Sequence, residues 1–424
     1  MKRFWLSLLA LALLSKGFTQ KANILYLEDC YQAARKNAEI ARRPDLYRQQ
    51  SQVRTASFAS SGKPSVNLNA RASLQTENVD LGIESPLFSS PDLPLAQYRI
   101  SLDGTYSLYD GGLKKAQIVH EQATLQVQTQ SVAVELHRLC MKINRPFFAI
   151  LLLRQHVKIL DAARDDLLNR SRALEGAVKA GARPPGDIER LQLQILKIEG
   201  ESEKTRFEIS GWLSALEALT GEKYAGSIVL LAPEPPDSIW LTTSKRPELS
   251  LFQLQQQQVL ASRTLAEIQN KPRVAAFLQA GIGYPNPLNF FEDQLSPFAV
   301  GGLQLTWKIT GREQTQRDQT LLDIQARIVE NQKAQFIQQV NAYDGKFRED
   351  YLAIKAIIRN HEAIALQQEH IRQQSAAQLA LGVLSMPDYL ADVHSALQTT
   401  LQLETYRIQL RQLYADYLTN KGIF

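Results

Sequence analysis

Four short stretches of the chain alternate apolar and polar residues, and two very long ones repeat apolar residues at three- and four-residue steps. In the first short stretch Val66, Leu68, Ala70, Ala72 and Leu74 alternate with Ser65, Asn67, Asn69, Arg71, Ser73 and Gln75. In the second, Tyr98, Ile100, Leu102, Gly104, Tyr106 and Leu108 alternate with Arg99, Ser101, Asp103, Thr105 and Ser107. The third puts Leu278, Ala280, Ile282 and Tyr284 on one side, with Phe277 on the other. The fourth sets Leu303, Leu305, Trp307 and Ile309 against Gln304, Thr306 and Lys308, and Gly301-Gly302 shifts the phase before it. Period-two alternation predicts strands with one apolar and one polar face, near residues 64–76, 97–110, 273–284 and 298–309, and the glycine pair predicts a bulge.

Each stretch matches a tilted membrane strand of roughly 9–11 residues. A soluble antiparallel sheet alternates in the same way, so the pattern alone leaves both readings open. About eight strands are needed to close a barrel, and lipid tolerates no open sheet edge. Membrane strands here would therefore require a barrel shared between chains. On that reading Arg71, Arg99, Asp103 and Lys308 line its lumen, and Tyr98, Tyr106, Tyr284 and Trp307, towards strand ends, are the interfacial aromatics. The segments around 77–96 and 285–297 would be its outer loops, stiffened by proline.

The long stretches, about 112–180 and 312–381, predict helices of about 100 Å at 1.5 Å per residue. Leu160, Leu167, Leu168 and Leu174 illustrate the coiled-coil seam. Shorter helices are predicted over about 28–60, 187–220, 247–270 and 388–421, two of them end to end beside each long one. Pro146 and Gly345 can each mark a bend. A soluble coiled-coil scaffold accounts for the rods taken alone.

The chain also repeats itself. Arg43-Pro44-Asp45-Leu46 recurs as Arg246-Pro247-Glu248-Leu249, and Lys63-Pro64 as Lys271-Pro272. Gly181 and Gly382, Asp187 and Asp388, and Gly221 and Gly422 keep nearly the same separation. Shared punctuation in order predicts two copies of one unit, residues 21–221 and 247–424, joined by a Pro-bearing linker at 222–246.

Lys2 and Arg3 followed by the apolar run from Phe4 to Leu14 read as a signal peptide over residues 1–20. Removing it lowers the net charge from +5 to about +2, which is no nucleic-acid footprint. Later segments contain no run of about 18 apolar residues, so no transmembrane helix is predicted. Cys30 and Cys140 are the two cysteines; the sequence does not say whether they meet, and two buried free thiols is the simpler reading. No phosphate-binding loop, Gly-x-Ser-x-Gly or Cys-x-x-Cys is present, so no enzyme activity and no cofactor are expected. His361 and His370 lie nine residues apart, not at the spacing of a zinc helix, and no metal site is expected.

With the repeat, strands and rods in hand, the chain resembles the TolC-like outer-membrane efflux proteins, over nearly the whole mature length. The resemblance rests on the Arg-Pro-Asp/Glu-Leu entries, the strand exit Tyr109-Asp110-Gly111-Gly112 and the hairpin Leu381-Gly382-Val383-Leu384-Ser385-Met386-Pro387-Asp388. It implies a mainly α fold with a membrane β part: two-repeat antiparallel coiled-coil helices plus four transmembrane β-strands per chain. It also implies a homotrimer whose shared β-barrel of roughly 12 strands stands in outer-membrane lipid on an α-helical tunnel through the periplasm. The implied role is the passive exit duct of a tripartite efflux or secretion system, docking a periplasmic adaptor (membrane fusion) protein and an inner-membrane RND or ABC-type pump. By position, Gly382, Val383, Leu384 and Ser385 match the adaptor-docking tip, with Gly181 at the first tip. There the sequence departs from the family pattern, carrying Pro184-Pro185. Asp187 and Asp388, with Asp392 nearby, match the periplasmic entrance. Both Asp187 and Asp388 also begin a helix, where aspartate is favoured as a cap, so gating and capping are both open. The competing class is a periplasmic coiled-coil scaffold or adaptor with no pore.

Overall fold

A computed structural model describes residues 24–77, 94–236, 242–289 and 292–424. The expected signal peptide lies outside them, as do most of the first expected outer loop and two residues of the second. In chain order the elements are β1 (Ile24–Tyr26), α1 (Leu27–Asn37), α2 (Arg43–Ser60), β2 (Ser65–Leu74), β3 (Ala96–Tyr109), α3 (Leu113–Lys179), α4 (Gly186–Thr220), β4 (Val229–Leu231), α5 (Pro247–Ile268), β5 (Arg273–Tyr284), β6 (Ser296–Thr306), α6 (Arg312–Ala380) and α7 (Met386–Lys421). Among the described residues no helix is long and apolar enough to cross a membrane.

Two compact units divide the chain. Of the described residues, the first holds those up to Arg42 and those within Val132–Pro247 and Phe336–Phe424; the second holds those within Arg43–Ser131 and Glu248–Gln335. Each therefore draws on both halves of the sequence repeat.

The second unit contains a four-stranded antiparallel sheet in the order β2-β3-β5-β6, with β2 and β6 as its edges. The register places Leu68 opposite Leu102, Leu102 opposite Ala280, and Ala280 opposite Ala299, so these positions of all four strands share one face, while Phe277, Phe298 and Val300 fall on the other. The shared face is bare: Leu68 and Leu303 are each 70% exposed. The other face carries the polar set, with Asn67, Asp103 and Gln279 in one row and Arg71 and Arg99 in another.

The bulge expected at Gly301-Gly302 is not there. Pairing of β5 with β6 runs unbroken from Arg273–Thr306 to Gly283–Ser296, and the one irregularity of the sheet falls between Ser107 and Tyr109 in β3. The glycines answer a packing need instead. Gly302 lies opposite Phe277, and a Cβ there would come within 3.1 Å of its ring. Because the register does not shift, Phe298 falls on the polar face, opposite Gly281, where it is buried under Arg99, whose Cζ lies 4.7 Å above the ring.

In the first unit, α1, α3, α4 and α7 close around Leu27, Tyr31, Ile143, Phe147, Phe148 and Leu216. Fully burying such side chains stabilises by about 1.5–3 kcal/mol each. Within this core Asn144 donates to Asp416 (2.7 Å) and accepts the hydroxyl of Tyr31, satisfying buried polar groups. Burial pushes the Asp416 carboxyl above its ordinary range. Cys30 and Cys140 are both free and buried in the same cluster. Burial drives the Cys30 thiol up to about 12, so it stays protonated and inert.

Two features differ from the expected helices. The helix expected over 28–60 breaks at Ala38, which is extended (φ −62°, ψ 132°), before a short 3-10 turn at Glu39–Arg42. At that break the Asn37 amide donates to the final carbonyl of α4, Thr220 O (3.0 Å). The linker, in turn, contains β4, which pairs in parallel with β1 and buries Leu25 and Leu230.

Candidate functional site: two hairpin tips and a four-stranded sheet

The tips belong to the first unit, and both turn by the same device. At the first, Gly181 is left-handed (φ +72°), its N–H bonds to Val178 O and the next N–H to Ala177 O. At the second, Gly382 (φ +80°) bonds to Leu379 O and Val383 N–H to Gln378 O. This paired bond set closes a helix C-terminus and calls for glycine at the left-handed position. The helix-end pattern in the sequence located both turns to within a residue.

Beyond the glycines the tips diverge. Ser385 caps α7, its Oγ accepting the Asp388 N–H (3.4 Å) and its hydroxyl donating to the Asp388 carboxylate. Gly382, Val383, Ser385 and Asp388 are exposed, Val383 by 76%. Leu384 instead leans onto the apolar cluster of Leu167, Leu191, Leu379 and Tyr389. Leu381, which opens the hairpin motif but is not among the expected docking residues, is 80% exposed beside Val383.

At the first tip Pro184-Pro185 leave α4 without a side-chain cap. Asp187 is buried there, 4% exposed, between Arg183 (3.7 Å) and Arg190 (3.4 Å). Arg183 also donates to Leu379 O at the end of α6, fastening one tip to the other. The four-residue step from Arg183 to Asp187 is a local pattern, but the bond of Arg183 to α6 has a backbone carbonyl as its acceptor and leaves no mark in the sequence. Asp187 and Asp388, equivalent by repeat, thus differ: one is enclosed by two guanidinium groups, the other open to solvent. Asp392 is half-buried and accepts the hydroxyl of Ser375.

In the sheet of the second unit, Arg71 lies directly opposite Arg99 on the polar face, and Arg99 donates to Gln279. Asp103 accepts from Asn69 (2.5 Å) and Gln279 (2.6 Å), forming a polar ladder across three strands. Lys308 lies past the end of β6 and is exposed. Tyr98 pairs with Tyr284 at one end, their rings 6.3 Å apart. Tyr106 lies towards the opposite end, and Trp307 just beyond β6 is 58% exposed. Among the described residues no group of three or more His, Cys, Asp or Glu side chains could hold a metal ion.

These elements, long helices paired in antiparallel hairpins together with a four-stranded sheet, recur in solved structures. The chain aligns over 93% of its length with the outer membrane protein VceC of Vibrio cholerae, covering 96% of that chain at 15% identity and a TM-score of 0.64. It aligns over the same share with the CmeC outer membrane channel of Campylobacter jejuni (85% of that chain, 12% identity, TM-score 0.63). The open state of the MtrE outer membrane channel of Neisseria gonorrhoeae matches likewise (88% of that chain, 12% identity, TM-score 0.63). No protein-family model and no curated protein sequence matches the chain. The fold is therefore the TolC-like one, helical hairpins plus a β part.

Proposed function

We propose that the chain is an outer-membrane channel, the passive exit duct of a tripartite efflux or secretion system. In this reading three copies close a barrel of roughly 12 strands in the outer membrane and a helical tunnel in the periplasm. The observation that carries it is the sheet: one continuous apolar face is exposed, and β2 and β6 are open edges. Four strands cannot close on themselves, and an apolar face of this kind in water would aggregate. Lipid against that face and neighbouring copies against both edges remove both costs at once.

The repeat supports assembly independently. Leu397 and Ile408 of α7 are buried within the chain, whereas Leu196 and Phe207, at the matching positions of α4, are 64% and 72% exposed. A second copy covering α4 would give both repeats the same environment. The Asn67–Asp103–Gln279 row, with Arg71 and Arg99, then lines the lumen. Asp388, open to solvent, is the stronger candidate for an entrance ring than the enclosed Asp187. The second tip, with Val383 and Leu381 projecting, is the face for a periplasmic adaptor and, through it, an inner-membrane pump; the first tip, with Arg183 engaged, is less available.

Cell fractionation with heat-modifiable gel mobility tests the reading. A channel enters the outer-membrane fraction as an oligomer that dissociates on heating. Recovery in the soluble periplasmic fraction as a monomer would favour a non-pore coiled-coil scaffold.

A further inference from the structure

A cleft of about 720 Å3 in the first unit is left unused by the duct reading. It is formed by α3, α4, the linker strand β4 and Arg411 of α7. Pockets of about 300–1,000 Å3 are the size that holds small organic ligands. Much of its wall is apolar: Leu151 and Val157 from α3, Ile209 and Leu213 from α4, and Val229 from β4. Four cations also line it, Arg154, Lys158, Arg206 and Arg411, and no Asp or Glu does so among the described residues.

The four cations are not equally satisfied. Arg206 is neutralised by Asp161 (2.6 Å) and Arg411 by Glu234 (2.8 Å). Arg154 and Lys158 have no carboxylate within 4.0 Å among the described residues. Arg154 is held instead by backbone, donating to the carbonyls of Gly226 (2.9 Å) and Ile228. Burial alone lowers its affinity for its proton, the sign of a partly desolvated cation without counter-charge. Two carbonyls leave further guanidinium N–H donors unused. Lys158 stands four residues on, so both cations share one face of α3.

We propose that this cleft binds an amphipathic organic anion, a carboxylate or sulfonate on a medium-length apolar body, with its head between Arg154 and Lys158 and its body against Leu151, Ile209 and Leu213. An inorganic anion would leave the apolar wall in water, and a neutral apolar molecule would leave the two cations unpaired. Each class satisfies half of the site; the amphipathic anion satisfies both.

The test is titration calorimetry of the full chain held in amphipol, with decanoate as the probe and decanol and acetate as controls. Decanoate is expected to bind saturably at one per chain, with decanol and acetate at least about tenfold weaker. Lys158→Glu, at an exposed position with no ion pair to break, is expected to weaken decanoate at least about tenfold, and Lys158→Arg to retain it. Circular dichroism and thermal unfolding unchanged from wild type keep that comparison on binding. Equal binding of decanol, equal binding of acetate, or an unaffected Lys158→Glu would overturn the proposal. Absence of saturable binding to the assembled protein, including closure of the cleft by a second copy, would overturn it as well. The measurement does not depend on conductance, so failure of the duct reading leaves its result interpretable.

Discussion

The guanidinium of Arg372 lies 3.1 Å from the carboxylate of Asp166, tying α6 to α3, and grips Glu369 on its own helix at 2.7 Å. Tyr389 is buried beside them, with Arg170 5.0 Å above its ring. The hydrogen bonds from Arg372 hold the Glu369 carboxyl below its ordinary value, with Gln373 adding to the effect. Because the folded value is the lower one, this stabilisation is complete above the unfolded carboxylate range and is lost as pH falls through the folded value. Glu369→Gln should therefore lower the thermal midpoint slightly at neutral pH, and the difference from wild type should shrink as the pH falls below the ordinary carboxylate range. Arg372→Gln, which cuts the link between α3 and α6, should raise the open probability of the channel in bilayer recordings.

Gly281, in the middle of β5, admits no side chain. A Cβ there would lie 2.1 Å from Ile100 O and 2.7 Å from Ser101 Cα, both backbone atoms that cannot step aside. Gly281→Ala should force β5 from β3, at a cost of about 1–3 kcal/mol or more, and reduce the yield of heat-resistant oligomers. Gly104→Ala, whose Cβ would meet only Leu278 O at 3.6 Å, should assemble normally. Gel mobility before and after heating compares the two.

The strands and rods were legible because each rests on a local rule. Period-two alternation needs only neighbours along the chain, and the helix ends near Gly181, Gly382 and Gly422 announce themselves through glycine's left-handed backbone. What escaped notice depends on residues far apart. The β1–β4 ribbon pairs Ile24–Tyr26 with Val229–Leu231, two three-residue segments too short to show any period. The break after Asn37 accompanies a contact with Thr220, and Arg183 is held by a carbonyl of α6. The misplaced bulge has the same origin: Gly302 looked like a change of phase, but it makes room for Phe277 on the neighbouring strand.

The second tip separates docking from stability. Leu381 and Val383 project into solvent, whereas Leu384 packs inward and Ser385 caps α7. Leu381→Asp with Val383→Asp should abolish transport in cells while leaving oligomer and thermal midpoint unchanged. Ser385→Ala should cost about 1 kcal/mol of helix stability through loss of the cap. Efflux assays run beside thermal unfolding distinguish the two effects.

Lys421 and Asp344 form a largely buried pair, 2.5 Å apart, with the lysine side chain only 4% and the aspartate 17% exposed, and the ammonium 5.7 Å from the Tyr417 ring centre. Tyr417 stacks on Phe347 at 3.9 Å, so the pair is embedded in aromatic packing. Lys421→Met alone should destabilise by about 3–5 kcal/mol because Asp344 is left uncompensated. The double variant with Asp344→Leu should recover much of that loss, as denaturant unfolding would show.

Whether copies of this chain close one pore is decided by single-channel conductance of the detergent-purified protein in a planar bilayer, together with its mass in detergent. A shared barrel gives a trimer with discrete conductance steps whose size or selectivity changes on charge reversal at Asp388. A monomer that never inserts would contradict the shared barrel and leave the long helices as a scaffold.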